Sequence, residues 1–345
     1  ESALQSGFSA AGVDTVMLGP LPTPAIAYLT RSVRAQAGVM MTASHNAYED
    51  NGIKFFDAEG FKVSDLFQQK VEGLIDRPLT VVASNQLGKT HRLVDAPGRY
   101  IEFCKSTFPA NLTLKGLHIV LDCAHGAAYH VAPLIFSELG ATLTLLGCEP
   151  DGYNINAACG STHTESLSLT VKAQGADLGI AFDGDADRLI LVDHTGATLT
   201  GDELLYVLLQ HDMRIGKKHR GLVGTLMSNI GLEQAVTQMG LSFERAAVGD
   251  RHVLAMLMAR GWTLGGEPSG HVVNLEMTTT GDGILSALSV LRVIVETSKS
   301  LLDLKQGLEL RPQVLINVAV SDRQLISSPA FTSAVKDVEQ TVGPC

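Results

Sequence analysis

The sequence predicts an α/β protein built from several domains in series. Short apolar runs of strand length alternate with amphipathic stretches of helix length along the chain, which is the pattern of stacked α/β units. With 345 residues, the chain also exceeds what one hydrophobic core usually organises. Apolar residues make up 45% and charged residues 18% of the chain, an ordinary globular balance without a disorder signature.

The position of each element follows from the spacing of its apolar residues. Strands are expected at residues 15–18, 39–42, 117–122, 142–146, 178–182, 189–192, 222–227 and 314–320. Helices are expected at residues 64–75, 98–108, 127–139, 165–174, 201–210, 232–239, 251–259 and 283–296. A turn at residues 50–52 should lead into a further apolar strand that contains Lys54.

Polar, turn-rich stretches mark the expected domain boundaries. They divide the chain into a first domain at residues 1–96, a second at 97–197 and a third at 198–304. Residues 305–345 would be a linker and the start of an incomplete fourth domain. Each of the three full domains has about a hundred residues, close to the commonest domain size.

The two ends of the chain predict a piece of a longer protein. The chain begins with Glu1 instead of Met, and Leu4 and Phe8 already suggest a buried helix face. It ends at residues 343–345, directly after a helix-like segment. We therefore expect the chain to start and stop inside a fold.

Charge and cysteine content exclude several classes of protein. The net charge of −10 argues against a nucleic-acid surface, although a local cluster of cations could still bind a phosphorylated sugar. The five cysteines are scattered without a CxxC pair, which argues against a disulfide scaffold or structural zinc and fits a reducing cytosol. We find no signal peptide and no apolar run of membrane-spanning length, so we expect a cytoplasmic protein without a membrane partner.

Three aspartates at alternate positions form the strongest chemical signal. Asp183, Asp185 and Asp187 follow one apolar strand and precede another, so their oxygens can converge on one hard divalent cation. An EF-hand would need Gly and Glu where this sequence has Arg188 and His194. The alternative is a solvated acidic turn, but the flanking strands favour a metal site.

A serine at the end of a strand is a candidate nucleophile. Ser44 lies in the small-residue turn Thr-Ala-Ser-His-Asn at residues 42–46. A hydrolase dyad with His45 is not expected, because neighbouring side chains in an extended segment point apart and the G-x-S-x-G pattern is missing. Taken alone, such a turn is more often a capping turn than a catalytic one. Lys54 could bring a cation near Ser44, or could be a surface lysine.

Two further loops carry polar groups among glycines. Glu267, Ser269 and His271 lie in a loop whose backbone could approach sugar hydroxyls, although such a loop can equally be a structural turn. Asp250 and Arg251 could open a helix whose N-terminal end grips an anion.

Four motifs in this order resemble the α-D-phosphohexomutase superfamily. They are TASHN at residues 42–46, NGIKF at 51–55, DGDADR at 183–188 and GGEPSGH at 265–271. Residues 18–24, 159–165, 224–231, 248–251 and 279–283 are more similar to the phosphoglucosamine mutase branch than to the glucose and mannose branches. The resemblance implies serial α/β domains of the phosphohexomutase type, with mixed sheets around a central cleft.

The resemblance also implies the roles of the candidate site residues. Ser44 would be the phosphoserine, and one Mg²⁺ would be held by Asp183, Asp185, Asp187 and the phosphoryl oxygen on Ser44. The basic residues of the transfer site would be Lys54, as general base or electrostatic partner, and Arg188. The substrate-binding residues would be Glu267 and Ser269 at the sugar hydroxyls, His271 in support, and Asp250 and Arg251 in a loop that helps to select the substrate.

The implied reaction transfers phosphate from Ser44 to glucosamine 6-phosphate and releases glucosamine 1-phosphate after a 1,6-bisphosphate intermediate. Its product would feed UDP-N-acetylglucosamine and cell-wall synthesis, and a homodimer is the oligomer that the resemblance implies. The alternatives are the same chemistry on glucose or mannose phosphates, a non-catalytic phosphosugar-binding fragment, or a phosphatase with an aspartate nucleophile.

The sequence departs from the superfamily pattern in a few places. The usual FGTDGIRG segment and the C-terminal loop that grips the second phosphate are missing from this sequence. Pro268, Ala47 and Tyr48 also stand where members often have other residues. Because the loop that binds the second phosphate is missing from this sequence, we expect metal binding and phosphorylation of Ser44 more than full activity.

Overall fold

The computed structural model describes residues 1–314, 316, 318–320 and 322–342. Its helices are α1 Ser2–Ala10, α2 Thr23–Ser32, α3 Asp65–Glu72, α4 Ala96–Ser106, α5 Val131–Glu138, α6 Glu165–Gln174, α7 Gly201–Arg214, α8 Ile230–Gln238, α9 Asp250–Arg260, α10 Gly283–Thr297, α11 Leu301–Leu304 and α12 Pro329–Val342. Among these helices, none combines the length and the apolar character needed to cross a bilayer.

Thirteen strands within the described residues form four sheets. They are β1 Thr15–Met17, β2 Ala37–Thr42, β3 Gly52–Asp57, β4 Thr90–Arg92, β5 His118–Asp122, β6 Thr142–Leu146, β7 Leu178–Phe182, β8 Leu189–Asp193, β9 Thr198–Leu199, β10 Gly221–Thr225, β11 Ser242–Ala246, β12 Leu264–Gly266 and β13 Val272–Asn274. We call α1 to β4 the first segment, α4 to β9 the second segment and α7 to α11 the third segment.

Each segment has its own sheets. The first segment has two pairs, the parallel β1–β4 and the antiparallel β2–β3. The second has a mixed sheet in the order β6-β5-β7-β8-β9, and the third a mixed sheet in the order β11-β10-β12-β13. Mixed sheets in serial α/β segments confirm the predicted fold class.

The central hairpin of the second segment is buried on both faces. Every residue of β7 and β8 is buried, and Phe182 is paired with Leu189. Strands that are buried on both faces have continuous apolar runs in their sequence. Both strands could therefore be predicted from the sequence. The register places residues 183–188 as the turn that connects these two strands.

The segments pack against one another through a common core. One cluster of buried apolar side chains extends from Leu21 and Phe56 in the first segment, through Phe182, to Leu205 and Leu288 in the third. Polar contacts cross the same boundaries. The hydroxyl of Tyr100 in α4 donates to Asp282 Oδ2 at 2.8 Å, and Asp282 also caps the N-terminus of α10.

The structure corrects several predicted elements. Helix α5 begins at Val131 instead of residue 127, because residues 124–130 form consecutive turns, which begin with the left-handed Ala124 and His125 (φ 55° and 47°). No residue of α1 is buried, so the expected buried face at Leu4 and Phe8 is wrong. The predicted strand at residues 314–320 lies partly outside the described residues, and its described residues are not in a strand.

The sequence analysis also missed whole elements. Helix α2 carries threonine and proline at its start and was overlooked, although seven of its residues are buried. Strand β11 mixes charged and apolar residues at the edge of its sheet and was missed for that reason.

The Tyr100–Asp282 contact makes a testable prediction about stability. Burial raises the pKa of Asp282 to about 6, although hydrogen bonds from Leu285 N and from Tyr100 partly oppose this rise. Tyr100→Phe should lower the free energy of unfolding by about 1–3 kcal/mol, because a buried carboxylate loses a donor. The loss should be largest above pH 6, where Asp282 is ionised, and should shrink as the pH falls towards 4 and the carboxyl protonates.

Urea denaturation at several pH values measures this loss. Tyr28→Phe is the matched control, because Tyr28 stacks on Phe103 and its hydroxyl has no hydrogen-bond partner in the described part of the chain. Equal effects of the two variants at every pH would contradict the assigned role of Asp282.

Candidate active site

Three buried carboxylates converge in the turn between β7 and β8. Asp183, Asp185 and Asp187 are at most 3% exposed, and one ligand oxygen of each lies within 4.8 Å of the others. Each carboxylate uses one oxygen for hydrogen bonds to protein groups. The other oxygen of each is buried without a hydrogen-bond partner among the described residues: Asp183 Oδ2, Asp185 Oδ1 and Asp187 Oδ1.

We call residues 183–188 the acidic turn. Its electrostatics fit a divalent cation. Burial, together with the neighbouring charges of Asp187 and Asp185, raises the pKa of Asp183 well above its ordinary value. Burial would raise the pKa of Asp187 as well, but the charges of Lys54 and His271 hold it well below its ordinary value. Three buried oxygens without hydrogen-bond partners among the described residues, at metal-ligand spacing, form a donor set that hard cations prefer.

The backbone of the acidic turn is held by all three segments. Thr23 N donates to Asp185 O at 2.9 Å, Ala127 N donates to Gly184 O at 2.7 Å, and Gly283 N donates to Ala186 O at 3.0 Å. Thr23 also donates its hydroxyl to Asp185 Oδ2. The donors come from α2, from the loop after β5 and from the start of α10, so the position of the carboxylates depends on how the segments pack.

Lys54 reaches the acidic turn from the first segment. It lies in β3, paired with Met40 of β2, and its Nζ is 2.5 Å from Asp185 Oδ2 and 2.9 Å from Asp187 Oδ2. Burial alone would lower the pKa of Lys54, but the two carboxylates raise it above its ordinary value. Lys54 is therefore a cation at neutral pH in this arrangement.

Ser44 lies directly against the acidic turn. It follows β2 with a left-handed backbone (φ 51°), and its N–H donates to Thr42 Oγ1 at 2.8 Å. A Cβ on Gly184 would lie 2.5 Å from Ser44 O, so only glycine permits this approach. The loop of Ser44 and the acidic turn are therefore neighbours in the fold, although Ser44 and Asp183 are 139 residues apart in the sequence.

His45 corrects one step of the sequence analysis. Its Nδ1 lies 3.4 Å from Ser44 Oγ, at the long end of hydrogen-bond distances. The expectation that the two side chains point apart assumed an extended segment, whereas Ser44 is left-handed. Burial and then the charge of Arg188 lower the pKa of His45, so its imidazole is neutral at pH 7.

The glycine-rich loop of the third segment faces the same acidic turn. His271 Nδ1 lies 3.6 Å from Asp187 Oδ1, and His271 Nε2 lies 3.5 Å from Asp250 Oδ2. A Cβ on Gly281 would lie 2.3 Å from the His271 ring, so this glycine is needed for the packing. Glu267 Oε1 accepts from Gly249 N at 2.9 Å, which joins this loop to the loop before α9.

The remaining predicted residues have different surroundings. Arg188 donates its backbone N–H to Asp183 Oδ1 at 3.1 Å, and its buried Nε has no hydrogen-bond partner among the described residues. Asp250 forms an ion pair with Lys62 of the first segment. Burial alone would raise the pKa of Asp250, but the charges of His271 and Lys62 lower it to about 2. Arg251 pairs with Asp65 at the surface.

The structure brings most of the predicted residues together. Around the acidic turn lie Ser44, Lys54, Arg188 and His271, with Asp250 and Glu267 one contact further away. For Ser269, no side-chain hydrogen bond is formed within the described residues. Three contributors, Thr23, Lys62 and Asn156, were missed because nothing in their local sequence shows that they contact residues more than a hundred positions away. The contact of His45 with Ser44 was missed because it depends on the left-handed backbone of Ser44.

Comparison with known families decides the class of protein. Models of the phosphoglucomutase/phosphomannomutase alpha/beta/alpha domains I, II and III match residues 1–80, 98–196 and 200–310. The chain belongs to this phosphoglucomutase/phosphomannomutase family. The predicted boundaries at residues 96, 197 and 304 stay predictions.

Individual members of the family are similar over most of the chain. A phosphoglucosamine mutase of Methylococcus capsulatus is 55% identical over 344 residues, which cover 99% of this chain and 77% of that protein. A phosphoglucosamine mutase of Marinomonas sp. is 57% identical over 323 residues, 94% of this chain and 72% of that protein. The crystal structure of a family member from Burkholderia thailandensis matches with a TM-score of 0.76 and 26% identity, over 89% of this chain and 68% of that chain.

The acidic turn should bind a divalent cation in solution. Asp185→Asn should weaken binding by at least about 10- to 100-fold. Loss of a group that only supports a metal ligand already has an effect of this size, and loss of a direct ligand should have at least the same effect. Isothermal titration with MgCl₂ or MnCl₂ measures the affinity. Asp193→Asn is the control, because Asp193 is a buried carboxylate at the opposite end of β8. Unchanged affinity in Asp185→Asn would remove this residue from the ligand set.

Proposed function

We propose that this chain is a phosphoglucosamine mutase, which interconverts glucosamine 6-phosphate and glucosamine 1-phosphate through a phosphoserine and a 1,6-bisphosphate. The observation that carries the proposal is the approach of Ser44 to the acidic turn, where a Cβ on Gly184 would lie 2.5 Å from Ser44 O. The relatives that are 55% and 57% identical carry this name, and they support the choice of glucosamine over other hexoses.

Asp183, Asp185 and Asp187 would hold one Mg²⁺ together with a phosphoryl oxygen on Ser44. When bound, Mg²⁺ supplies charge neutralisation to the oxygens of the transferred phosphoryl group. The three buried oxygens without hydrogen-bond partners support this ligand set. Phosphoryl transfer otherwise depends on positioning and electrostatics, and the protein residues provide both.

In each half-reaction the attacking hydroxyl oxygen bonds to phosphorus while the bond from phosphorus to the leaving oxygen breaks, and the proton passes from one oxygen to the other. Of the two roles considered for Lys54, we favour the electrostatic one, because the carboxylates keep its amine charged. Arg188 adds a second positive charge. The neutral imidazole of His45, 3.4 Å from Ser44 Oγ, is placed to exchange a proton with that oxygen.

The loop of the third segment would bind the sugar. Glu267 and Ser269 would contact hydroxyl groups of the hexose, and His271 would hold the loop against the acidic turn. Asp250 and Arg251 would help to select the substrate. The product would supply UDP-N-acetylglucosamine and cell-wall synthesis, in a cytoplasmic enzyme that we expect to form a homodimer.

Intact-mass measurement tests the proposal directly. After incubation with glucosamine 1,6-bisphosphate and Mg²⁺, the protein should gain one phosphate, and Ser44→Ala should gain none. Ser166→Ala, a change of an exposed serine in α6, is the control. A phosphatase with an aspartate nucleophile would instead lose the adduct in Asp183→Asn and keep it in Ser44→Ala. No adduct on the unmodified chain would leave only phosphosugar binding.

Turnover of competing substrates tests the hexose specificity. Glucosamine 6-phosphate should be converted faster than glucose 6-phosphate or mannose 6-phosphate under the same conditions. If it were the slowest of the three, the chain would be a phosphoglucomutase or a phosphomannomutase instead.

Glu267→Gln should mainly weaken sugar binding. A carboxylate that accepts from a sugar hydroxyl contributes about 1.5–3 kcal/mol, so KM should rise by about 10- to 100-fold. Ser44 phosphorylation should stay intact, and steady-state kinetics together with intact mass separate the two effects. Asp303→Asn, a surface change in α11, is the control. Loss of the phosphoserine in Glu267→Gln would assign Glu267 to the transfer step.

A further inference from the structure

Asn156 contacts the loop that carries Ser44. It lies in the second segment between β6 and α6, with 7% of its surface exposed. Its Nδ2 donates to Ser44 O at 2.9 Å and to Asn46 O at 2.7 Å. Both hydrogens of one amide are therefore used on the carbonyls that flank His45.

The backbone of Asn156 is fixed as well. Its N–H donates to Ala124 O at 2.9 Å, and its conformation is left-handed (φ 57°), which asparagine tolerates better than most residues. A Cβ on Gly184 would lie 2.8 Å from Asn156 Nδ2. The amide therefore lies between the Ser44 loop and the acidic turn, and touches both.

We propose that Asn156 is a positioning residue that holds the Ser44 loop over the acidic turn. This inference rests on the proposed role of Ser44 as the phosphoryl carrier. Ser44 has a left-handed conformation that an L-residue rarely adopts. One bond from Asn156 holds the carbonyl of Ser44, and the other holds the carbonyl of Asn46, two residues further along the same loop. We call this pair of hydrogen bonds the clamp. Misplacement of a reacting group by about 1 Å can cost about 100-fold in rate, so loss of the clamp should slow the transfer step.

Two variants remove the clamp in different ways. Asn156→Asp keeps the shape and the tolerance for a left-handed backbone, but it places an acceptor against two carbonyl oxygens. Asn156→Gly removes the side chain without adding backbone strain. Asn154→Asp is the matched control, because Asn154 Nδ2 donates to Glu149 O in the same loop without contacting Ser44.

The rate of Ser44 phosphorylation by glucosamine 1,6-bisphosphate is the first measurement. We expect it to fall by about 10- to 100-fold in both Asn156 variants, with Mg²⁺ affinity within about threefold of the unmodified protein, and to stay unchanged in Asn154→Asp. A merely structural role would lower stability in urea without a selective loss of this rate. Normal rates in both Asn156 variants would overturn the proposal.

Hydrogen exchange tests the clamp even if Ser44 takes no phosphate. In that case the proposed function fails, whereas the clamp still predicts at least about tenfold faster amide exchange at residues 43–47 in Asn156→Gly than in the unmodified protein or Asn154→Asp. Unchanged exchange in this segment would overturn the positioning role independently of any activity.

Discussion

The mutual repulsion of Asp183, Asp185 and Asp187 is the constraint on which the arrangement of this site depends. Three carboxylates at the end of one hairpin are withdrawn from water, so cations must compensate them. Lys54 from the first segment and His271 from the third contact this turn. Each segment therefore contributes charge or hydrogen bonds to a centre that one segment alone would leave uncompensated.

This dependence explains why small residues occur where the segments meet. Gly184 lets the Ser44 loop approach the acidic turn, and Gly283 begins α10 where a Cβ would lie 2.5 Å from Arg188 O. Gly281 packs against the ring of His271. Larger side chains at these places would separate the groups that phosphoryl transfer needs close together, so the closeness of the backbones matters as much as the identity of the ligands.

The sequence predicted local features well and contacts between segments poorly. The strands around the acidic turn are continuous apolar runs, and both they and the convergence of the three aspartates could be read from residue spacing. The proximity of His45 Nδ1 to Ser44 Oγ was missed because it depends on a left-handed φ. The hydrogen bonds of Thr23 and Asn156 were missed because their acceptors lie 162, 112 and 110 residues away.

In the proposed site, a phosphate on Ser44 and the three aspartates share one metal ion. Pulsed electron–nuclear double resonance of the phosphorylated protein, with Mn²⁺ in place of Mg²⁺, tests it most directly. A shared ion should give a strong ³¹P hyperfine coupling that is absent from the dephosphorylated protein and from Ser44→Ala. Tightly bound Mn²⁺ without any ³¹P coupling in the phosphorylated protein would contradict it.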